Sequence, residues 1–456
     1  MRFWLFLPLV LVLNIIFSSC STDTLTRITD DLKDVKIQNI NETGLLNFDN
    51  QFDEETNNTI QDPLPRFTLT NEEREDKNKQ KIVNVAILLP LSGPSANIGQ
   101  SILSSATMAL FDISDNYFRL LPYDTEGTPD GAQRALEQAI LDGAMLILGP
   151  VFSSSAKAIT PHIRRSNLVM IPFTTDPTVA RPGVFILGFL VHEQVRRIIN
   201  FGISQNIFRY AILAPGTPYG ETVVDTAQQV IAQAGAELTK IAYYDPSGSN
   251  LNEVVRSFAD YDQRHNSLKK QRELLKDKDD PISLAALKRL EQLDTIGDVP
   301  YDAILIPESG GRLTEVAALL PYYDVDPGRV QLMGTLLWHI SGLGKEPSLV
   351  GGWYPAPSPK QNLDFYNRFK EIFGYKPPAI STHGYDAVAL ASILSRTHKI
   401  NPFNEKNFFS SNGFSGVDGV FRFTKTGLSE RGFAVLEVTR NSATVIDAAP
   451  LTFEKQ

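Results

Sequence analysis

The sequence predicts an α/β protein of two lobes, each built on a parallel sheet. Three observations carry that prediction. The 456-residue chain is 42% hydrophobic, enough for sizeable cores. From Ile82 onward, short strand-like apolar runs alternate with amphipathic helical stretches, the pattern that parallel strands joined by crossovers require. The same rhythm restarts after about residue 206.

The first lobe opens with "VNVAILLP", followed by a helix carrying Ile102, Ala106, Ala109 and Ile113 on one face, and then by "FRLLPYD". Next come "DGAQRALEQAILDG", "AMLILGP", "SSSAKAITPHIRRS" and "LVMIPF". In the second lobe "RYAILAP" precedes "GETVVDTAQQVIAQAG"; "ELTKIAYYD", "YDAILIPE" and "GRLTEVAALLPYYD" follow. A charged insertion, residues 261–299, interrupts this lobe. Asp280-Pro281 stops one helix there and starts another, so two short helices forming a hairpin are expected, either as a solvated face or as a protrusion that docks a partner.

Ahead of the lobes, residues 1–20 place Arg2 before an apolar run that ends in Ser18, Ser19 and Cys20, which reads as a signal peptide too short to be a comfortable membrane span. Cys20 is the single cysteine, and its place at the end of the run resembles a bacterial lipobox, in which the thiol is acylated and anchors the mature chain; Phe17 stands where Leu is usual. Ser21 in place of Asp favours the outer membrane by analogy with lipoprotein sorting. Residues 21–81 are polar and read as a disordered tether that could reach roughly 200 Å when extended.

Composition and motifs exclude several functions. A formal charge of -9 with no basic stripe argues against nucleic-acid binding. The six histidines show no metal-ligand spacing, no cysteine remains after lipidation, and a G-x-S-x-G elbow is missing, so neither catalysis nor a metal or other cofactor is expected. His383 and Asp386 share one helical turn and could face the cleft, with a surface or core-edge histidine the favoured reading.

In open parallel sheets ligands bind beyond the carboxyl ends of the strands. Four loops here have suitable chemistry: "LSGPSANIG" with Ser92 and Ser95, "VFSSS" with Ser153 and Ser154, "FTTDP" with Thr174 and Thr175, and "GTPYGE" with Tyr219. Each alone is a helix cap or a turn. Together with "STHGYDAVALASIL" and "GVFRFTKTGLSERGFAVLEV", they make the chain from about Val83 onward resemble the type I periplasmic binding proteins of the leucine/isoleucine/valine-binding kind. That resemblance implies two Rossmann-like lobes joined by three crossovers, placed at about 82–200 plus 341–398 and 201–340 plus 399–456. Within the group, "VAILLPLSGPSANIGQSI", "DGAMLILGP", the lipoprotein start and the helical insertion are most similar to the penicillin-binding protein activators, the LppC-type lipoproteins of Gram-negative bacteria. Where the best-known members carry a helical-repeat domain, the corresponding region here is expected to be only the short polar tether.

What the resemblance implies for a ligand is a carboxylate clamp of Ser and Thr, here Ser153 and Thr175, and an acidic partner for the ammonium. Phe173 falls where a small residue is usual and is expected to crowd the α-carbon. Leu336 and Trp338 fall where the acid is expected, with Glu308 the nearest spare carboxylate. On this reading leucine, isoleucine and valine bind no more tightly than about millimolar. The favoured function is then a lipid-anchored activator that contacts a penicillin-binding protein in peptidoglycan synthesis. The alternative is the receptor of an ABC transporter for a branched-chain amino acid or similar small polar solute.

Overall fold

The computed structural model describes residues 82–113 and 117–453. The signal segment, Cys20 and the tether expected over 21–81 lie outside the described residues.

The first sheet is parallel, in the order β2-β1-β3-β4: β1 (Val83–Leu89), β2 (Phe118–Asp124), β3 (Leu146–Leu148) and β4 (Val169–Ile171). β1 is central and its last five residues are buried, because both faces are covered. One face meets α1 (Ala96–Ile113) through Ile102, Ala106 and Ala109, as the helical spacing predicts. The other meets α2 (Pro129–Leu141) and α3 (Ser153–Arg165) through Ala132, Leu136, Ile159 and Ile163.

After Leu190 the chain leaves this lobe. α4 (Val191–Ser204) packs Val195, Ile198 and Ile199 against Tyr210 and Ile212 of β5 (Arg209–Pro215). The second sheet has seven strands in the order β14-β13-β9-β8-β7-β5-β6. Here α5 (Pro218–Gln233) follows β5, and β6 (Glu237–Tyr244), β7 (Ala303–Leu305), β8 (Gln331–Met333) and β9 (Trp353–Ala356) run parallel with it. The antiparallel β13 (Ala434–Val438) and β14 (Ala443–Asp447) complete one edge.

Between β6 and β7 stand α6 (Leu251–Phe258), α7 (Tyr261–Lys276) and α8 (Pro281–Leu290), and α9 (Gly310–Tyr322) follows β7. The α7–α8 pair is stapled by backbone-directed cations. Arg272 donates to the carbonyls of Leu290 and Leu293 at 2.7 and 2.8 Å, and Arg264 donates to Gly297 and Asp324 at 3.0 and 3.1 Å. Asp280 caps α8 by accepting from the amides of Ile282 and Ser283.

The chain returns to the first lobe after Ala356. α10 (Pro359–Phe373) sets Phe365 and Phe369 against Met108 of α1, and α11 (Thr382–Thr397) buries Ala387, Val388, Ala391 and Leu394 in the first core. A small antiparallel sheet, β10 (Phe414–Gly416), β11 (Gly419–Phe423) and β12 (Ser429–Arg431), adds Phe421 and Phe423 to that core. The chain then crosses once more into β13.

The lobe boundaries therefore differ from those expected. Residues 191–200 and 341–356, expected in the first lobe, pack with the second sheet, and 399–431, expected in the second, with the first core. The physical reason is that helix and strand patterns do not reveal which sheet they cover. The stretch "GVFRFTKTGLSERGFAVLEV" is likewise divided: β11 and β12 pair in the first lobe while β13 extends the second sheet.

Candidate functional site between the strand ends

The opening strand–loop–helix is held tightly. Gly99 in the first turn of α1 lies so near Pro90 that a Cβ would stand 2.0 Å from its carbonyl oxygen, and Gly220 meets Pro215 the same way at 2.1 Å. The loop between them and the sheet is already engaged: Asp124 Oδ1, at the end of β2, accepts from the amides of Leu91 at 2.8 Å, Ser92 at 3.3 Å and Glu126 at 2.8 Å. Burial raises the Asp124 pKa, but these donors and the Ser92 hydroxyl outweigh it and hold the group below the usual carboxylate range. Two amides of the loop, those of Leu91 and Ser92, are thus occupied by the protein's own carboxylate. Ser92 is exposed and Ser95 half-buried.

The turn after β3 keeps its offer open. α3 starts after Phe152, whose side chain makes no cap, so the first-turn amides and the positive end of the helix dipole are uncapped. Ser153 is half-buried and Ser154 exposed there, and the fully buried Ser155 Oγ has no hydrogen-bond partner among the described residues.

After β4 the structure corrects the sequence reading. Phe173 is 2% exposed and packs in the first core with its ring 6.3 Å from that of His383, so it does not project over a ligand. Its amide donates to Pro150 at 2.9 Å, which aims the side chain inward. Thr174 is buried and its hydroxyl accepts from the Asp176 amide at 3.2 Å; Thr175 is the exposed member of the pair.

On the second lobe, Tyr219 at the start of α5 shares a 2.9 Å hydrogen bond with the buried Thr335 hydroxyl beyond β8. Beyond β7, Glu308 accepts from the Tyr244 hydroxyl at 2.6 Å and from the Ser309 amide at 2.9 Å, and no cation among the described residues pairs with it. Burial, then the bond to Glu308, raises the Tyr244 pKa far above its ordinary value, so its proton stays on the phenol and donates. Leu336 is half-buried, and its amide donates to Gln194 Oε1 at 2.9 Å. Trp338 is a core residue whose indole donates to the Ile306 carbonyl at 3.1 Å.

One lobe thus carries an uncapped helix start with Ser153, Ser154 and Thr175, and the other a half-buried carboxylate held by the Tyr244 hydroxyl. Tyr244, Thr335 and Gln194 were not singled out from the sequence. Tyr244 ends "IAYYD" at the carboxyl end of β6, a position that could have marked it. Two cavities, of about 190 and 410 Å³, lie elsewhere, against Arg209, Asp302 and Arg329 and against Arg196, Arg197 and Phe453. Their arginines are already in ion pairs with neighbouring carboxylates, Arg431 at the edge of the larger one through a long 3.9 Å contact to Asp386.

A family model described as periplasmic binding protein matches residues 82–443. The chain belongs to the periplasmic binding protein family. Members of this family are binding proteins, and membership implies a periplasmic or extracellular location. Among the described residues no helix is long and apolar enough to cross a membrane.

Among curated relatives of this periplasmic binding protein, an uncharacterised protein of Rickettsia prowazekii, RP748, is 25% identical over 183 residues, 40% of this chain and 49% of that one. A Leu/Ile/Val-binding protein homolog 4 of Brucella abortus is 32% identical over 92 residues, 19% of this chain and 22% of that one. The chain thus spans about half the length of the first and about a fifth of the second. Among solved structures, a putative branched-chain amino acid ABC transporter protein from Rhodospirillum rubrum superposes with a TM-score of 0.64 at 14% identity, covering 80% of this chain and all of that one. An ABC transporter substrate-binding protein from Desulfitobacterium hafniense in complex with Leu gives 0.54 at 16%, with 80% and 100% coverage. At these identities the superpositions establish the fold, that of two-lobed type I periplasmic binding proteins.

Proposed function

We propose that the chain is a solute receptor whose ligand is a small amine-bearing acid, of the size and charge of an amino acid. The observation that carries the reading is Glu308, a half-buried carboxylate oriented by Tyr244 at the carboxyl end of β7, with no cation paired to it among the described residues. Opposite chemistry stands on the first lobe, where the uncapped α3 start and Thr175 suit a carboxylate. The two objections raised from the sequence lose their force: Phe173 lies in the core, and the acid missing at Leu336 is supplied from the neighbouring strand. The Leu complex of the Desulfitobacterium neighbour supports the same ligand class. A thermal-shift panel on the full chain tests it. Amino acids are expected to raise the Tm, a ligand at a hundred times its Kd adding about 2.7 kcal/mol, whereas aromatic acids without an amine leave it unchanged. A panel in which no amine-bearing acid shifts the wild-type protein would contradict the proposal.

A second reading is favoured by the α7–α8 hairpin, which exposes Leu274 by 72% and Ile282 by 82% on a stapled, protruding element. In this reading the chain is a lipoprotein acylated at Cys20, held at the outer membrane, and the hairpin contacts a penicillin-binding protein to regulate peptidoglycan synthesis. Crosslinking in cells through a photoreactive residue at Leu274 separates the two: capture of a penicillin-binding protein supports the activator, and capture of a transporter permease the receptor.

A further inference from the structure

The three connections between the lobes, residues 188–191, 356–359 and 432–433, converge on one buried charge cluster. Arg431 ends β12 immediately before the third crossover, and its side chain is 1% exposed. Phe189, in the first crossover, lays its ring 4.9 Å from the Arg431 guanidinium carbon; Phe421, paired with Arg431 across the β11–β12 ladder, lies at 5.3 Å. Asn362, in the first turn of the helix that follows the second crossover, donates to Asp418, which also accepts from the Thr382 hydroxyl. Asp386 Oδ1 accepts from the Val417 amide at 2.7 Å, while its Oδ2 stands 3.9 Å from Arg431 and accepts no hydrogen bond.

Among the described residues the guanidinium itself finds no hydrogen-bond partner for Nε, Nη1 or Nη2. A buried cation ordinarily needs partners, so this one is held by attractions of another kind. Two ring faces and the field of two buried carboxylates supply them. Hydrogen bonds weaken steeply once the donor angle falls below ~120°. Cation–π and Coulomb attractions vary smoothly with position. Strands that rotate about such a contact keep most of its energy, whereas strands rotating about a fixed hydrogen bond lose it.

The cluster is also wired to the ligand side. Gln194 Nε2 donates to the Phe189 carbonyl at 2.9 Å, and its Oε1 accepts from Leu336 in the loop beyond β8. A shift of that loop therefore reaches the first crossover through one side chain.

We infer that Arg431 is the pivot of the hinge, a non-directional joint that couples the three crossovers so that the lobes turn as one movement. The inference concerns the crossovers and does not depend on which solute or partner the chain takes.

Hydrogen exchange followed by mass spectrometry on the full chain tests it. In Arg431→Met the segments holding all three crossovers should exchange about tenfold faster together, with β1 and β5 unchanged. Arg431→Lys, which keeps the charge, should restore most of the protection, and above about pH 7, where Asp386 is ionised, Asp386→Asn should match the methionine variant without adding to it in the double variant. Gln194→Ala should loosen the first crossover and the loop at 335–338 only. Acceleration confined to residues 431–433 would overturn the pivot, because the crossovers would then move independently. Acceleration spread through the first core would also overturn it, showing that Arg431 merely supports packing; Lys and Asn variants that fold keep the test open should the methionine variant not fold.

Discussion

Single residues decide how the binding face is read. Phe173 shows the limit of position-by-position carry-over, since its place in the loop after β4 was legible but the direction of its side chain was set by the Pro150 contact and by the core beneath. Phe173→Ala should therefore lower stability by about 3–5 kcal/mol in urea unfolding, as a core truncation does, and should open no ligand site. Asp386 provides a second check. Burial foremost, with Asp418 adding and Arg431 opposing, pushes its carboxyl up to about 7. A carboxyl raised in this way stabilises the native state while protonated. Its contribution is whole below the ordinary carboxylate range near 4 and is lost as the pH climbs to about 7. The stability of Asp386→Asn relative to wild type should then rise between pH 4 and 7 and level off above. A difference that stays flat with pH would show that Asp386 is charged throughout.

At the scale of elements, the strand–helix rhythm was legible because a buried parallel sheet demands continuous apolar runs, and β1 and α1 carry theirs where the sequence shows them. The α7–α8 turn was legible from Asp280-Pro281 for a local reason, a cap and a preset first turn. Asp280→Ala should cost about 1 kcal/mol of hairpin stability, read as faster exchange in α8 alone. What the rhythm could not show was ownership. α4 and β9 look the same whichever sheet they cover, and only the contacts of Val195 with the β5 side of the second core, and of Trp353 with β8 and β13, assign them. The pairs Tyr244–Glu308, hydroxyl to carboxylate, and Tyr219–Thr335, hydroxyl to hydroxyl, were hidden for the same reason, since each joins residues at or beyond the ends of strands two places apart in the sheet.

For the molecule as a whole, two lobes with uncommitted chemistry at their strand ends suit the receptor proposed for the chain, and the family assignment agrees with that architecture. Where the protein is held is a separate proposal: Cys20→Ala should move the chain from the membrane fraction to the soluble one while leaving its unfolding transition intact, because acyl chains act at the anchor and not in the fold. The central claim is recognition of an amine by Glu308, and isothermal titration of leucine into the full chain, wild type beside Glu308→Gln, tests it most directly. The account predicts measurable binding by the wild type and a loss of at least about a hundredfold, or ~3 kcal/mol, in the glutamine variant. Equal affinities in the two proteins, or no heat with any amine-bearing acid in the wild type, would contradict it.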